Sequence, residues 1–210
     1  MKLRPYQEKA LLLARDSMRR GLKRPIIAAP TSFGKTILAG EMLKNCQDNG
    51  KKGWFFCDRI QLIEQSIDKF TKMGIDFGVR QANHELTNPL APIQIVSIQT
   101  VQAMVNNHNK QLPEFDMAIV DECHTQWDII NKIIEKYNNI PIIGLTATPY
   151  SKGLGTKYNN LIVPITQREL LDKGYLCPIR YYGGEHIDMS KIRSSNPNDY
   201  RAGDIEQATD

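Results

Sequence analysis

Three observations predict an α/β architecture, a mostly parallel sheet with helices on both faces. Short runs rich in Ile and Val at 25–28, 93–96, 117–120 and 140–145 alternate with helical patterns. Strands that read as near-continuous apolar runs are those covered on both faces of a parallel sheet. A Gly34-Lys35-Thr36 triplet sits between one such run and a helical pattern. Each polar motif singled out below follows an apolar run, and the carboxyl ends of strands are where such sheets bind ligands.

Taken in order, residues 5–20 predict a helix, with Pro5 in its first turn and Ala10, Leu11, Ala14 and Met18 on one face. Gly21 ends it. The run Pro25-Ile26-Ile27-Ala28 predicts a strand, Ala29-Pro30-Thr31-Ser32-Phe33-Gly34 a tight loop, and the residues to Lys44 a helix. A strand at 53–57 is followed by a helix at 60–72 whose core face is Leu62, Ile63, Ile67 and Phe70, closed by Gly74. Further strands are predicted near 77–79, 93–96, 117–120 and 140–145, with a helix that includes Trp127 and Ile130. Residues 165–172 predict a helix and 177–182 a strand. From Gly183 the chain turns polar and loses apolar periodicity, which predicts a flexible segment.

The chain has 210 residues, 41% of them hydrophobic and 24% charged, which suits one domain with a full core. No apolar run reaches the length of a membrane-spanning helix, and Met1-Lys2-Leu3-Arg4-Pro5 lacks a secretory core. Cys46, Cys57, Cys123 and Cys177 are widely separated, so reduced thiols in a cytoplasmic protein are expected rather than a disulfide frame or a zinc site. A net charge of +4 permits nucleic-acid binding without requiring it.

The loop entering a helix at Gly34-Lys35-Thr36 suits a polyphosphate. Backbone N–H groups and the helix dipole favour an anion there. Lys35 can reach the β- and γ-phosphates, the Thr36 hydroxyl can ligate Mg²⁺, and Gly34 lets the backbone approach closely. Ala29 stands where the general motif begins with Gly. The bland alternative is a Lys and a Thr opening an amphipathic helix. Asp121 and Glu122 end an apolar run; one suits Mg²⁺ and the other a proton acceptor for water, or both merely cap the following helix. His124 has no neighbour in sequence to complete a metal site. Gln7, with one acceptor and two donors, matches an adenine edge, though by itself it reads as a solvated helix residue. Thr146-Ala147-Thr148-Pro149 taken alone is an ordinary turn.

Together these segments resemble the first RecA-like P-loop domain of a superfamily 2 helicase of the DExH type. The matches run in the family's order: Arg4-Pro5-Tyr6-Gln7, residues 30–36, residues 58–65, Ser97-Ile98-Gln99-Thr100, Asp121-Glu122-Cys123-His124 and Thr146-Ala147-Thr148-Pro149. The likeness covers roughly residues 1–182 and, in Leu3 to Gln7, Asp121 to His124 and Gly174-Tyr175-Leu176-Cys177-Pro178, is similar to bacterial and phage DNA-repair helicases of the RadD and branch-migration kind. It implies ATP and Mg²⁺ as ligands. Gln7 would recognise adenine, with Arg4 and Tyr6 close to the base, while Pro30, Thr31, Ser32, Phe33, Gly34, Lys35 and Thr36 would cradle the phosphates. Thr36 and Asp121 would hold Mg²⁺, and Glu122 would activate water. His124, Thr146 and Thr148 would couple the nucleotide to nucleic acid, which Arg59, Gln65, Gln99 and Thr100 would contact along its backbone. Ser32-Phe33 and Ser97 depart from the family's usual Gly, small residue and Thr.

The resemblance also implies a second RecA-like domain supplying arginines to the phosphoryl group. Nothing after Thr148 reads as that domain, so residues 183–210 are expected to be a linker toward it. The expected function is the motor half of an ATP-dependent DNA helicase or translocase. Alternatives are the motor of a restriction or remodelling complex, and a nucleotide-dependent nucleic-acid-binding module without turnover.

Overall fold

Strand pairing, rather than any single helix, sets this architecture. In the computed structural model, which describes residues 3–108 and 114–178, seven strands form one sheet in the order β3-β4-β2-β5-β6-β1-β7. They are β1 (Pro25–Ala28), β2 (Gly53–Cys57), β3 (Phe77–Arg80), β4 (Ile93–Ser97), β5 (Met117–Val120), β6 (Ile142–Thr146) and β7 (Asn160–Ile162). Every pairing is parallel, with Ile26 opposite Gly144, Ala118 opposite Ile142 and Phe56 opposite both Val96 and Val120. The expected fold class is the observed one.

The helices are α1 (Pro5–Arg19), α2 (Lys35–Asp48), α3 (Ile60–Lys72), α4 (Ile98–His108), α5 (Asp128–Lys136), α6 (Leu154–Lys157) and α7 (Gln167–Asp172). Strand periodicity divides the core between the two faces of the sheet. Ile27, Phe55, Ile119, Ile143 and Leu145 pack with Ala10, Leu38, Leu43, Ile63, Phe70 and Leu170. Ile26, Trp54, Phe56, Ala118, Val120 and Ile142 pack with Val101, Ile129, Ile130 and Ile133. All residues of β1, β2, β4 and β6 are buried, the burial that near-continuous apolar runs predict.

Differences from the sequence reading are local. The last predicted run begins two residues later than expected, because Pro141 stays outside β6 and its carbonyl accepts from the Ala118 N–H. Trp127 is the N-cap of α5 rather than part of it. The edge strand β7 was not anticipated: three residues with a half-exposed Leu161 leave too short an apolar pattern to read. The strand expected at 177–182 and the linker at 183–210 lie outside the described residues, apart from 177 and 178, which belong to no strand. Among the described residues no helix is long and apolar enough to cross a membrane.

Candidate active site

The site begins where β1 stops. Ala29 is fully buried and its N–H donates to the Thr146 carbonyl at 2.8 Å, tying the start of the loop to the end of β6. A Gly at position 29 would lose that burial. The loop turns through Ser32 at φ 64° and Gly34 at φ 86°, both left-handed. The Gly34 carbonyl then accepts from the Ile37 and Leu38 N–H groups and opens α2. N–H groups of the first turn have no acceptor within their own helix, which leaves them for an anion. Thr31 and Ser32 are exposed; Pro30, Lys35 and Thr36 are half-buried.

Phe33, the departure from a small residue, is fully buried. Its ring lies 5.0 Å from that of Tyr6, which in turn meets Tyr175 edge-on at 5.3 Å. Arg4 closes this stack, donating to the Tyr6 hydroxyl at 2.8 Å with its guanidinium 4.8 Å above the Tyr175 ring. The loop's path is therefore fixed by an aromatic anchor. Neither Phe33 as an anchor nor Tyr175 was legible, since their contacts span the whole domain.

Gln7 is buried against this loop. Its Nε2 donates to the Phe33 carbonyl at 2.9 Å and to the Gly34 carbonyl at 3.4 Å, and its Oε1 accepts from the Arg4 N–H at 2.8 Å. It is thus not a solvated helix residue. A Cβ on Gly34 would come within 2.5 Å of Gln7 Nε2, so both the positive φ and the close approach require glycine there.

Asp121 and Glu122 follow β5, the strand next but one to β1. The Glu122 backbone is left-handed at φ 46°, a strained conformation for Glu that turns its side chain to Lys35. Lys35 Nζ forms an ion pair with Glu122 Oε1. Glu122 Oε2 lies 3.3 Å from His124 Nδ1, which is 2.9 Å from the Thr146 hydroxyl. That hydroxyl accepts from the Thr148 N–H at 3.0 Å and lies 3.3 Å from the Thr148 Oγ1. One chain of contacts so runs from Lys35 through Glu122, His124 and Thr146 to Thr148.

Burial raises the Asp121 carboxyl from the usual 3.8 to about 6, against the opposing pull of the nearby Lys35 charge. The folded carboxyl then holds its proton more tightly than the unfolded one. Its contribution to stability is full below about pH 4 and is lost as pH rises through about 6. Asp121→Asn is therefore expected to be more stable than wild type at pH 7.5 by up to about 3 kcal/mol, without nucleotide or Mg²⁺. The gain should shrink between pH 6 and pH 4 in denaturant titrations. An equal gain at both pH values would show that the charge is not the cause.

The predicted backbone-contact residues divide. Arg59, at the N-cap of α3, has a side chain 77% exposed and 3.9 Å from Asp58 Oδ2. With Gln65 it lines a cavity of about 350 Å³ that also reaches Asp58, Glu122, His124 and Thr125. Gln99 instead donates to the Asp58 carbonyl and accepts from the Ser97 hydroxyl at 3.0 Å. The Thr100 N–H donates to the same Ser97 hydroxyl at 3.4 Å. Ser97 thus supplies the hydroxyl oxygen that the more usual Thr would. A separate apolar cavity of about 280 Å³ lies at the opposite end of the sheet, among Leu11, Met18, Met42 and Met117, and holds none of the candidate residues.

Residues 1–151 match the family model described as the res subunit of type III restriction enzymes. The chain belongs to this family. Among curated relatives, a 51.5 kDa protein of a Lactococcus phage is 27% identical over 187 residues, covering 87% of this chain and 37% of the relative. The putative ATP-dependent helicase IRC3 of Saccharomyces cerevisiae is 21% identical over 213 residues, covering 92% of this chain and 31% of its own. The chain thus spans about a third of the length of these relatives. Among solved structures, the UvsW helicase of bacteriophage T4 superposes with a TM-score of 0.61 at 19% identity, covering 78% of this chain and 61% of that one. Like these neighbours, the res-subunit domain described above has a RecA-like fold, and the resemblance to superfamily 2 helicases read from the ordered segments is borne out.

Proposed function

We propose that this chain is the first RecA-like half of an ATP-dependent DNA motor, residues 1–182 forming the domain and 183–210 leading to a second one. The observation that carries this reading is the contact chain Lys35–Glu122–His124–Thr146–Thr148, which connects a phosphate-type loop to the outer carboxyl edge of the sheet.

In this reading the first-turn N–H groups of α2, Gly34, Lys35 and Thr36 receive the phosphates of ATP. Among the described residues no group of three or more His, Cys, Asp or Glu side chains could hold a metal unaided. One hydroxyl and one carboxylate, Thr36 and Asp121, nonetheless fit Mg²⁺, which takes few protein ligands and completes its shell with phosphate oxygens and water. Bound there, Mg²⁺ neutralises phosphate charge. Phosphate competes with Glu122 for the Lys35 ammonium. Once released, Glu122 is free to accept a proton from water, and its other oxygen reports the change to His124 and Thr146. Gln7 would have to give up its carbonyl partners to read adenine, so base recognition and loop rearrangement are one event.

Two observations favour a restriction-type translocase as the second reading. One is the family's own description. The other is the fold match, at a TM-score of 0.63 and 17% identity over 83% of this chain and 21% of the other, to the restriction-modification enzyme LlaGI, solved with a DNA substrate mimic. ATP hydrolysis by a form extended through a second RecA-like domain tests the motor. Hydrolysis stimulated at least about tenfold by DNA is expected, a modest share of an enzyme's acceleration. Hydrolysis indifferent to any nucleic acid would leave only an ATPase. Strand separation of a fork marks a helicase, whereas stimulation by duplex without separation marks the restriction-type translocase.

A further inference from the structure

Tyr150 is a large ring that the fold holds out in water. It is 83% exposed, directly after Thr146-Ala147-Thr148-Pro149, at the carboxyl edge of the sheet. Its loop is fixed at both ends, by fully buried Thr146 and by Leu154, which is 2% exposed. The Ser151 hydroxyl donates to the Thr148 carbonyl at 3.1 Å, and Gln126 Nε2 donates to the Lys152 carbonyl at 2.7 Å. Gly153, at φ 87°, makes the return; a Cβ there would meet Gln126 Oε1 at 2.9 Å. An anchored loop thus presents an aromatic face two residues beyond Thr148, the outer end of the contact chain from Glu122.

Lys152 is exposed on the same loop, and Ile60, 63% exposed, follows Arg59 at the start of α3. The turn Cys123–Thr125 and Gln126 bridge the two places, since Thr125 lines the cavity with Arg59 and Gln126 holds Lys152. An exposed aromatic beside cations is the combination that holds unpaired bases, the ring stacking on a base while cations take the flanking phosphates.

We propose that Tyr150 is a stacking platform for an unpaired base of a bound single strand, with Arg59 and Lys152 taking its phosphates. The proposal rests on the motor reading above and adds to it a residue that reads bases by their flat faces, without sequence preference.

Fluorescence anisotropy of labelled oligothymidylate with the 210-residue chain at low salt tests it. Tyr150→Ala is expected to weaken binding about 5- to 100-fold, the range for losing one stacked base, while Tyr150→Phe stays close to wild type. On an abasic strand of equal length, wild type and Tyr150→Ala should bind alike. The salt dependence should be unchanged in Tyr150→Ala and shallower in Arg59→Ala, because only the second loses a phosphate contact. A Tyr150→Ala chain that binds oligothymidylate like wild type, or loses as much on the abasic strand or on blunt duplex, overturns the proposal. If Arg59→Ala and Lys152→Ala weaken binding while Tyr150→Ala does not, the stacking role fails and the motor reading stands. A wild-type chain with no affinity for any strand at low salt overturns both.

Discussion

Lys35→Ala should lower ATP affinity by at least about a hundredfold while leaving the fold intact. Charge-assisted hydrogen bonds to phosphate are each worth about 1.5–3 kcal/mol, so the loss of one or two accounts for the effect. The side chain has no core role: it is 19% exposed and its described partner is Glu122. Its loss reaches Asp121 as well. The Lys35 charge holds the Asp121 carboxyl down against burial, so without it that carboxyl should titrate above about 6. Mg²⁺-dependent binding should therefore weaken further as pH falls, more steeply than in wild type. Calorimetry with ATP and Mg²⁺ at two pH values checks both effects. Unaltered affinity in a folded Lys35→Ala chain would remove the loop from the nucleotide site.

The sheet was legible because Ile26, Ile27, Ile93, Ile95, Ile119 and Ile143 sit in strands covered on both faces, where side-chain alternation leaves no polar interruption. The ends of those strands were legible for the same reason, since a carboxylate or a Thr after such a run has one place to go. What stayed hidden depends on distant partners. Phe33 reads as an anomaly in a loop, and only Tyr6 and Tyr175 reveal it as an anchor. Gln99 and Thr100 carry polar groups that suit a phosphate backbone, yet their nearest partners are Asp58 and Ser97, which a linear motif does not disclose. β7 was missed because an edge strand needs little apolar sequence when β1 supplies the pairing.

Glu122→Gln should leave ATP and Mg²⁺ binding in place and slow hydrolysis by about 10²–10⁴-fold, the usual share of general base catalysis. The measurement needs a form extended through the proposed second RecA-like domain. Gln has the shape of Glu but no carboxylate to take a proton. The ion pair with Lys35 complicates the binding side in a useful way. In the free chain Glu122 holds the Lys35 ammonium, so on the motor reading the neutral amide should release it and tighten ATP binding a few-fold. The cost to stability should be small, under about 1 kcal/mol, because the pair is partly open to solvent. The same substitution takes the carboxylate away from His124, whose Nδ1 retains Thr146 as its remaining described partner. Single-turnover hydrolysis and nucleotide affinity on one preparation decide the matter. Unchanged chemistry with tighter binding would make Glu122 a latch on Lys35 and not the base. Lost chemistry with tighter binding would make it both, and lost chemistry with unchanged binding would make it the base alone.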